Sequence, residues 1–117
     1  MLYSILILSH ISRYSTFQLI FVLKLEIQIR MWMIDLTSGL AAIHQHKIIH
    51  RDIKPENIFV KGDQVLKIGD LGVGKKVDDE EIQARTRIGT PRYIAPEVYS
   101  GRAYSFSADI WSLGQCN

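Results

Sequence analysis

The sequence predicts an α+β fold in which one long helix precedes a short β-hairpin and a long irregular segment. Between residues 27 and 46, apolar side chains recur every three or four positions, the spacing of an amphipathic helix. Two short apolar runs, 58–60 and 65–68, flank a Lys-Gly-Asp-Gln turn and predict the hairpin. Residues 71–97 combine glycines, prolines and mixed charges, a composition that favours a long functional loop.

Residues 1–26 form an apolar N-terminal segment to which the sequence assigns no function. Polar residues between His10 and Thr16 divide it into two short blocks, whereas a membrane-spanning helix needs about 20 consecutive apolar residues. A signal peptide needs a charged start and a small-residue cleavage site, and neither is evident here. We therefore expect a buried strand or helix, with Phe17–Leu25 as its apolar part, and no membrane partner.

The predicted helix over 27–46 has one apolar face, which we expect to point into the core. Its members are Ile29, Trp32, Met33, Leu36, Leu40 and Ile43. His44 and His46 are two positions apart, cannot share a helix face, and are not expected to bind a metal. Ser107 is the predicted N-cap of a last helix that starts near Asp109. Since few residues remain to cover these helices, we expect exposed apolar surface on the first and the last.

Composition narrows the class of protein. A length of 117 residues suits one small domain, and the net charge of +2 is too small to attract nucleic acid at long range. One cysteine, Cys116, cannot form an intramolecular disulfide. We therefore expect a reducing compartment, the cytoplasm or the nucleus, and no nucleic-acid partner.

The residues that carry chemistry begin in the segment His50–Asn57. Asp52 can orient an attacking hydroxyl, Lys54 can place a cation on transferring phosphate oxygens, and Asn57 offers a neutral oxygen to Mg²⁺. Asp70 follows the second strand of the hairpin, which brings the chain back towards Asn57. Both side chains can then bind the same Mg²⁺, which prefers oxygen ligands together with substrate phosphates.

These segments resemble the motifs of eukaryotic protein kinases, in the same order along the chain. His50–Asn57 resembles the catalytic loop, Asp70–Gly72 the metal-binding motif, and Ala95–Glu97 the Ala-Pro-Glu motif. The resemblance covers residues 27–117. It implies a protein-kinase-like fold, of which this chain holds part of the mainly helical large lobe with the hairpin and the activation segment.

The motifs are similar to those of the serine/threonine class. A lysine stands two residues after Asp52, and Gly89–Tyr93 resembles the substrate-docking segment of that class. More narrowly, residues 67–73 and 85–91 resemble the NIMA-related kinases, in which leucine replaces the phenylalanine of the metal-binding motif.

The resemblance assigns a role to each matching residue. Asp52 would accept the proton of the substrate hydroxyl, and Lys54 would steady the transferred phosphoryl group. Asn57 and Asp70 would bind Mg²⁺, and together with Lys54 they would hold ATP. Thr90 would hydrogen-bond near Asp52 and Lys54 and favour a serine or threonine acceptor in a protein substrate.

Two structural positions and one regulatory site complete the assignment. By the same resemblance, His50 would pack under the catalytic loop and Asp109 would anchor its backbone. Thr86 is the only hydroxyl residue between residues 71 and 89, and arginines flank it. A phosphate there could pair with Arg51 and order the segment, so we predict that Thr86 is an activating phosphosite.

Other parts of a kinase are not found upstream of His50. There is no glycine-rich loop, and Lys24 lies only 28 residues before Asp52, too close to be the lysine that binds ATP phosphates. Two functions stay open: a truncated ATP-dependent protein serine/threonine kinase, and a non-catalytic kinase-derived binding module or pseudogene fragment. Small-molecule phosphotransferases come third, because Thr90 and the Ala-Pro-Glu segment argue against them.

Overall fold

A computed structural model describes residues 15–77 and 88–116. The chain divides into two compact units, residues 1–34 and 35–117, and each is treated by itself. The described elements, in chain order, are α1 (Thr16–Gln45), β1 (Ile48–Ile49), β2 (Ile58–Lys61), β3 (Val65–Ile68), β4 (Lys75–Lys76), α2 (Pro96–Tyr99) and α3 (Ser107–Gly114). Short 3₁₀ turns lie at Pro55–Asn57 and Pro91–Tyr93. The predicted α+β class is confirmed.

Helix α1 begins 11 residues earlier than the predicted start at residue 27. The Ser15 Oγ accepts a hydrogen bond from the Gln18 amide at 3.3 Å, and the Gln18 Oε1 accepts one from the Ser15 amide at 2.8 Å. This reciprocal pair is a capping box, a helix-start signal that the periodicity alone does not reveal. Lys24 therefore lies on a helix, whereas the lysine that binds ATP phosphates in kinases lies on a strand.

The expectation that Phe17–Leu25 is buried is wrong. Phe17 is 78% exposed and Phe21 is 61% exposed, and the predicted core positions Ile29 and Met33 are exposed as well. A helix buries only the face that another element covers, and the described part of the first unit, residues 15–34, is helix alone. Among the described residues, no helix combines the length and the apolar character needed to span a bilayer.

In the second unit, the end of α1 packs as predicted. Leu36 and Leu40 are buried in one cluster with Ile53 and Leu113, and the hairpin covers that cluster from the side. Strands β2 and β3 pair antiparallel, with Ile58 opposite Ile68 and Lys61 opposite Val65, which confirms the predicted hairpin. Its turn places Gly62 at φ +53°, where an L side chain is unfavourable.

The segment predicted as one long loop over 71–97 contains more regular structure than expected. Strand β4 pairs antiparallel with β1, with Ile48 opposite Lys76 and Ile49 opposite Lys75. Lysine is not enriched in strands, so Lys75 and Lys76 give no strand signal in the sequence. The pairing of β4 with β1 depends on backbone groups rather than on side-chain propensity. Helix α2 then occupies the end of the segment.

A second cluster lies between β1 and the C-terminal helices. It consists of Ile49, Val77, Ala95, Val98, Tyr104 and Ala108. Helix α3 starts at Ser107 with Phe106 as its N-cap, so the predicted cap is wrong by one residue. Ile110 and Trp111 on α3 are 56% and 45% exposed, and this exposure agrees with the apolar surface expected on the last helix.

Candidate active site

The segment that resembles the catalytic loop, His50–Asn57, follows β1 directly, and its first residue is a buried histidine. The His50 Nε2 contacts the Gly69 carbonyl at 3.0 Å, and its Nδ1 accepts the Asp52 amide at 3.3 Å. A ring protonated on Nε2 and free on Nδ1 satisfies both contacts. His50 is fully buried, so its predicted place under the loop is confirmed.

Asp109, on α3, anchors the loop backbone from the other side. Its Oδ2 accepts the amide of His50 at 2.8 Å, and its Oδ1 accepts the amide of Arg51 at 2.9 Å. Arg51 adopts φ +71°, an unfavourable region for a residue other than glycine, and it needs such an external restraint. The predicted anchoring role of Asp109 is therefore confirmed by its geometry.

Three predicted side chains converge on the carboxylate of Asp52. Lys54 Nζ lies 2.7 Å from Oδ2, and the Asn57 Nδ2 donates to the same oxygen at 3.2 Å. Thr90 donates to Oδ1 through its hydroxyl at 2.7 Å and through its amide at 3.1 Å. The Thr90 Oγ1 also accepts from Lys54 Nζ at 3.0 Å. These contacts use the lone pairs of the carboxylate, so one of them must give way when a substrate hydroxyl binds.

A close backbone approach brings Thr90 to the loop. Gly89 adopts φ +116°, and a Cβ built there would lie 2.7 Å from the carbonyl oxygen of Arg51. Only glycine allows that approach at that φ. A further tether comes from Ser112, whose hydroxyl donates to the Tyr93 carbonyl at 2.7 Å and ties α3 to the 3₁₀ turn after Thr90.

Asn57 and Asp70 are brought together by the end of the hairpin. The Gly69 amide donates to the Asn57 carbonyl at 3.0 Å, so Asp70 follows immediately beyond that pair. The Asn57 Nδ2 donates to the Asp52 carbonyl at 2.9 Å and to its carboxylate at 3.2 Å, so the Oδ1 is the Asn57 side-chain atom able to bind a cation. Asp70 is an exposed carboxylate with Oδ1 on the Gly72 amide. Two oxygen donors of this kind fit Mg²⁺, which takes its other ligands from phosphates and water.

The ionisation of Asp52 is set by its neighbours. Burial raises the pKa of Asp52, but hydrogen bonds from Lys54 and Thr90, the charge of Lys54 and a hydrogen bond from Asn57 together hold it below the usual 3.8. The carboxylate is therefore ionised at neutral pH and acts as an acceptor only.

Lys54 is the matching cation. Its hydrogen bond to Asp52 raises its pKa above the usual 10.5, burial opposes this, and the charges of Asp52, Glu56 and Asp70 raise it further. A phosphate group bound beside Lys54 would therefore contact a protonated ammonium group.

Lys54→Met is expected to raise the pKa of Asp52, because it removes a hydrogen bond and a charge that favour the ionised carboxylate. Ionised Asp52 stabilises the fold above pH 3.8, and this contribution is lost as the pH falls through the lower folded-state pKa. NMR titration of the carboxyl carbon measures the midpoint, and Lys61→Met on the exposed hairpin is the control. An unchanged midpoint in Lys54→Met would contradict the pairing.

Of the predicted regulatory pair, Arg51 and Thr86, only Arg51 is among the described residues. The Arg51 Nε donates to the Val73 carbonyl at 2.6 Å, which places the guanidinium beside the segment that follows Asp70. Thr86 and its flanking arginines lie outside the described residues. The activating phosphosite therefore stays a prediction.

One contact at the site has no sign in the sequence. His44, which is not expected to bind a metal, has its Nε2 2.8 Å from the Asp109 Oδ2. No spacing rule connects residues that are 65 positions apart, so only the fold reveals this contact.

Comparison with known proteins identifies the family of the chain. The chain matches the family described as protein kinase domain over residues 3–116, a span that begins before the predicted boundary at residue 27. The chain therefore belongs to the protein kinase family, whose members generally use ATP and Mg²⁺.

The curated relatives are named serine/threonine-protein kinases. The chain is 46% identical over 94 residues to serine/threonine-protein kinase Nek5 of Homo sapiens, covering 80% of this chain and 13% of that protein. It is 36% identical over 91 residues to Nek4 of Mus musculus, covering 78% and 12%. It is 40% identical over 89 residues to PLK1 of Xenopus laevis, covering 76% and 15%. The Nek relatives agree with the resemblance to NIMA-related kinases, and the chain spans only a small part of each relative.

Proposed function

We propose that this chain supplies the catalytic loop and the activation segment of a protein kinase that transfers the γ-phosphoryl group of ATP to serine or threonine hydroxyls. The convergence of Lys54, Asn57 and Thr90 on the Asp52 carboxylate carries this proposal. In this proposal Asp52 accepts the hydroxyl proton, and Lys54, whose Nζ lies 2.7 Å from the carboxylate, is the cation for the phosphoryl oxygens. Phosphoryl transfer depends chiefly on such positioning and charge stabilisation.

Each residue then has a definite task. Asp52 orients the attacking hydroxyl and receives its proton, while Thr90 fixes the carboxylate through two hydrogen bonds. Lys54 stabilises negative charge on the transferred group. Asn57 and Asp70 would hold Mg²⁺, which when bound neutralises charge on the phosphates. We infer that the acceptor is a protein segment, because Pro91 and Arg92, which are exposed in the turn beside Thr90, offer a surface to a peptide.

The second candidate function is a non-catalytic kinase-derived binding module. It predicts that partners bind without any need for Asp52, Lys54, Asn57 or Asp70. The shared hydrogen-bond network favours the catalytic function, because a surface used only for binding has no need of a carboxylate held by three different side chains.

A transfer assay tests the proposal. The purified protein that carries this sequence is incubated with Mg²⁺ and γ-labelled ATP, and with peptides that differ only in a serine, threonine or tyrosine acceptor. Label is expected on serine and threonine but not on tyrosine, and chelation of Mg²⁺ should abolish it. No transfer to any peptide, with the protein folded by circular dichroism, would favour the binding module.

A further inference from the structure

Arg92 is an exposed cation in the short turn that follows Thr90. The turn, Pro91–Tyr93, begins with a proline, and the Tyr93 amide donates to the Thr90 carbonyl at 2.9 Å. The Ser112 hydroxyl on α3 donates to the Tyr93 carbonyl at 2.7 Å. Because the turn is bonded to Thr90 and to α3, and because proline fixes one of its φ angles, the backbone of Arg92 has a defined place beside the site.

The guanidinium group of Arg92 contacts an aromatic ring. Its Cζ lies 6.0 Å from the centroid of the Tyr93 ring, at the outer limit of a cation–π contact. Among the described residues, no aspartate or glutamate forms an ion pair with Arg92. A guanidinium group stays protonated at neutral pH and carries five N–H donors. Arg92 therefore presents a positive charge and several donors to a molecule that binds beside it.

A peptide bound at the site would bring the residues that flank its acceptor to this charge. The Thr90 hydroxyl lies 2.7 Å from the Asp52 Oδ1, the carboxylate that orients the acceptor hydroxyl in the proposed function. Thr90 and Arg92 are two positions apart, and two residues span at most about 7 Å of chain. An extended peptide advances by about 3.3 Å per residue, so residues near its acceptor lie within reach of the long arginine side chain.

The sequence around the turn carries charge of one sign. Positions 82–96 contain three arginines, Arg85, Arg87 and Arg92, and no acidic residue. Arg92 is the one of the three that lies among the described residues. Complementary charge favours a partner of opposite sign, and like charges disfavour the wrong partner. A bound segment with acidic residues fits this surface better than a basic one.

We propose that Arg92 is a specificity-determining residue, which selects serine or threonine acceptors that are flanked by an acidic residue. This inference rests on the proposed function, because it names the class of protein segment that the same site accepts. The acidic side chain of the substrate pairs with the guanidinium group while the acceptor hydroxyl lies at Asp52.

Peptides that differ in one charge test the preference. Each contains one serine, and a glutamate is moved one position at a time along both sides of it, with glutamine and lysine as replacements. Where the residue contacts Arg92, glutamate is expected to raise kcat/KM about fivefold over glutamine, through a lower KM, as for an exposed ion pair. High salt should remove most of this difference. Equal kcat/KM for glutamate and lysine at every position would overturn the inference, whereas no transfer to any peptide would contradict the proposed function.

Substitutions of Arg92 assign the preference to its side chain. In Arg92→Glu the preference should reverse, with lysine about fivefold better than glutamate at the same position. Arg92→Lys should keep a weaker preference for glutamate, because it keeps the charge without the planar fork of donors. Lys61→Glu makes the same change in charge on the exposed hairpin and should keep the wild-type preference. The ratio compares two peptides on one protein, so an unchanged ratio in Arg92→Glu would rule out the assignment even if overall activity fell.

A binding measurement on the wild-type protein needs neither a variant nor phosphoryl transfer. Fluorescence anisotropy of the labelled glutamate and lysine peptides, without ATP, measures their Kd values. The glutamate peptide is expected to bind at least about fivefold more tightly, because its charge is attracted and that of lysine is repelled. Equal Kd values would overturn the inference, even in a protein that transfers phosphate.

Discussion

Asp52→Asn is expected to lower kcat for phosphoryl transfer by about 10²–10⁴-fold, with little change in KM for ATP or peptide. Asparagine has nearly the same shape, so the change removes the negative charge and one acceptor oxygen. The asparagine NH₂ group would face either Lys54 and the Asn57 Nδ2, in place of Oδ2, or the two Thr90 donors, in place of Oδ1, and at least one of these contacts would become repulsive. Steady-state kinetics with a serine peptide measures the effect.

The size of this effect follows from the surroundings of Asp52. Because its pKa is held below the usual 3.8, the carboxylate is a weak base that cannot remove a hydroxyl proton early in the reaction. Its main contribution is therefore to orient the hydroxyl and to receive the proton as the bond to phosphorus forms. That reasoning predicts a large loss in kcat and a small one in substrate binding.

Asp63→Asn is the matched control, because it makes the same chemical change on the exposed hairpin turn. It should leave kcat unchanged within about twofold, since surface substitutions away from such networks have small effects. If Asp52→Asn retained wild-type kcat, the catalytic assignment would be wrong and the binding module would be favoured.

The local elements of the fold could largely be predicted from the sequence, because each depends on residues near one another. The hairpin is marked by its own turn, and the buried positions Leu36 and Leu40 follow the helical period. The strand Lys75–Lys76 could not be predicted, because it pairs with β1 through backbone groups that any residue supplies. The exposure of Phe17 could not be predicted either, because burial depends on which element covers a helix.

The candidate site could likewise be predicted only in part from the sequence. The types and order of Asp52, Lys54 and Asn57 point to phosphoryl transfer, because each chemical task needs a particular group. The contact between His44 and Asp109 has no such local sign, because a histidine near the end of a helix is compatible with many roles. Gly89 is similar: only the approach of the Arg51 carbonyl shows why no side chain fits there.

Removing the Asp109 carboxylate should cost more stability than any surface change. The Asp109 side chain is only 1% exposed. Asp109→Ala removes the acceptor of three groups: the amides of His50 and Arg51 and the ring N–H of His44. A buried donor without a partner costs about 1–3 kcal/mol, so the three together should lower the free energy of unfolding by about 3–5 kcal/mol. Urea denaturation followed by circular dichroism measures this difference.

Ile110→Ala, at the next position of α3, controls for the effect of alanine on that helix, because Ile110 is 56% exposed. It should change the free energy of unfolding by less than about 1 kcal/mol. A loss in Asp109→Ala no greater than in this control would show that water or other groups replace the acceptor. The catalytic loop would then not depend on α3, and the unfavourable backbone of Arg51 would need a different restraint. The expected large difference between neighbouring residues thus tests whether α3 holds the backbone that carries Asp52.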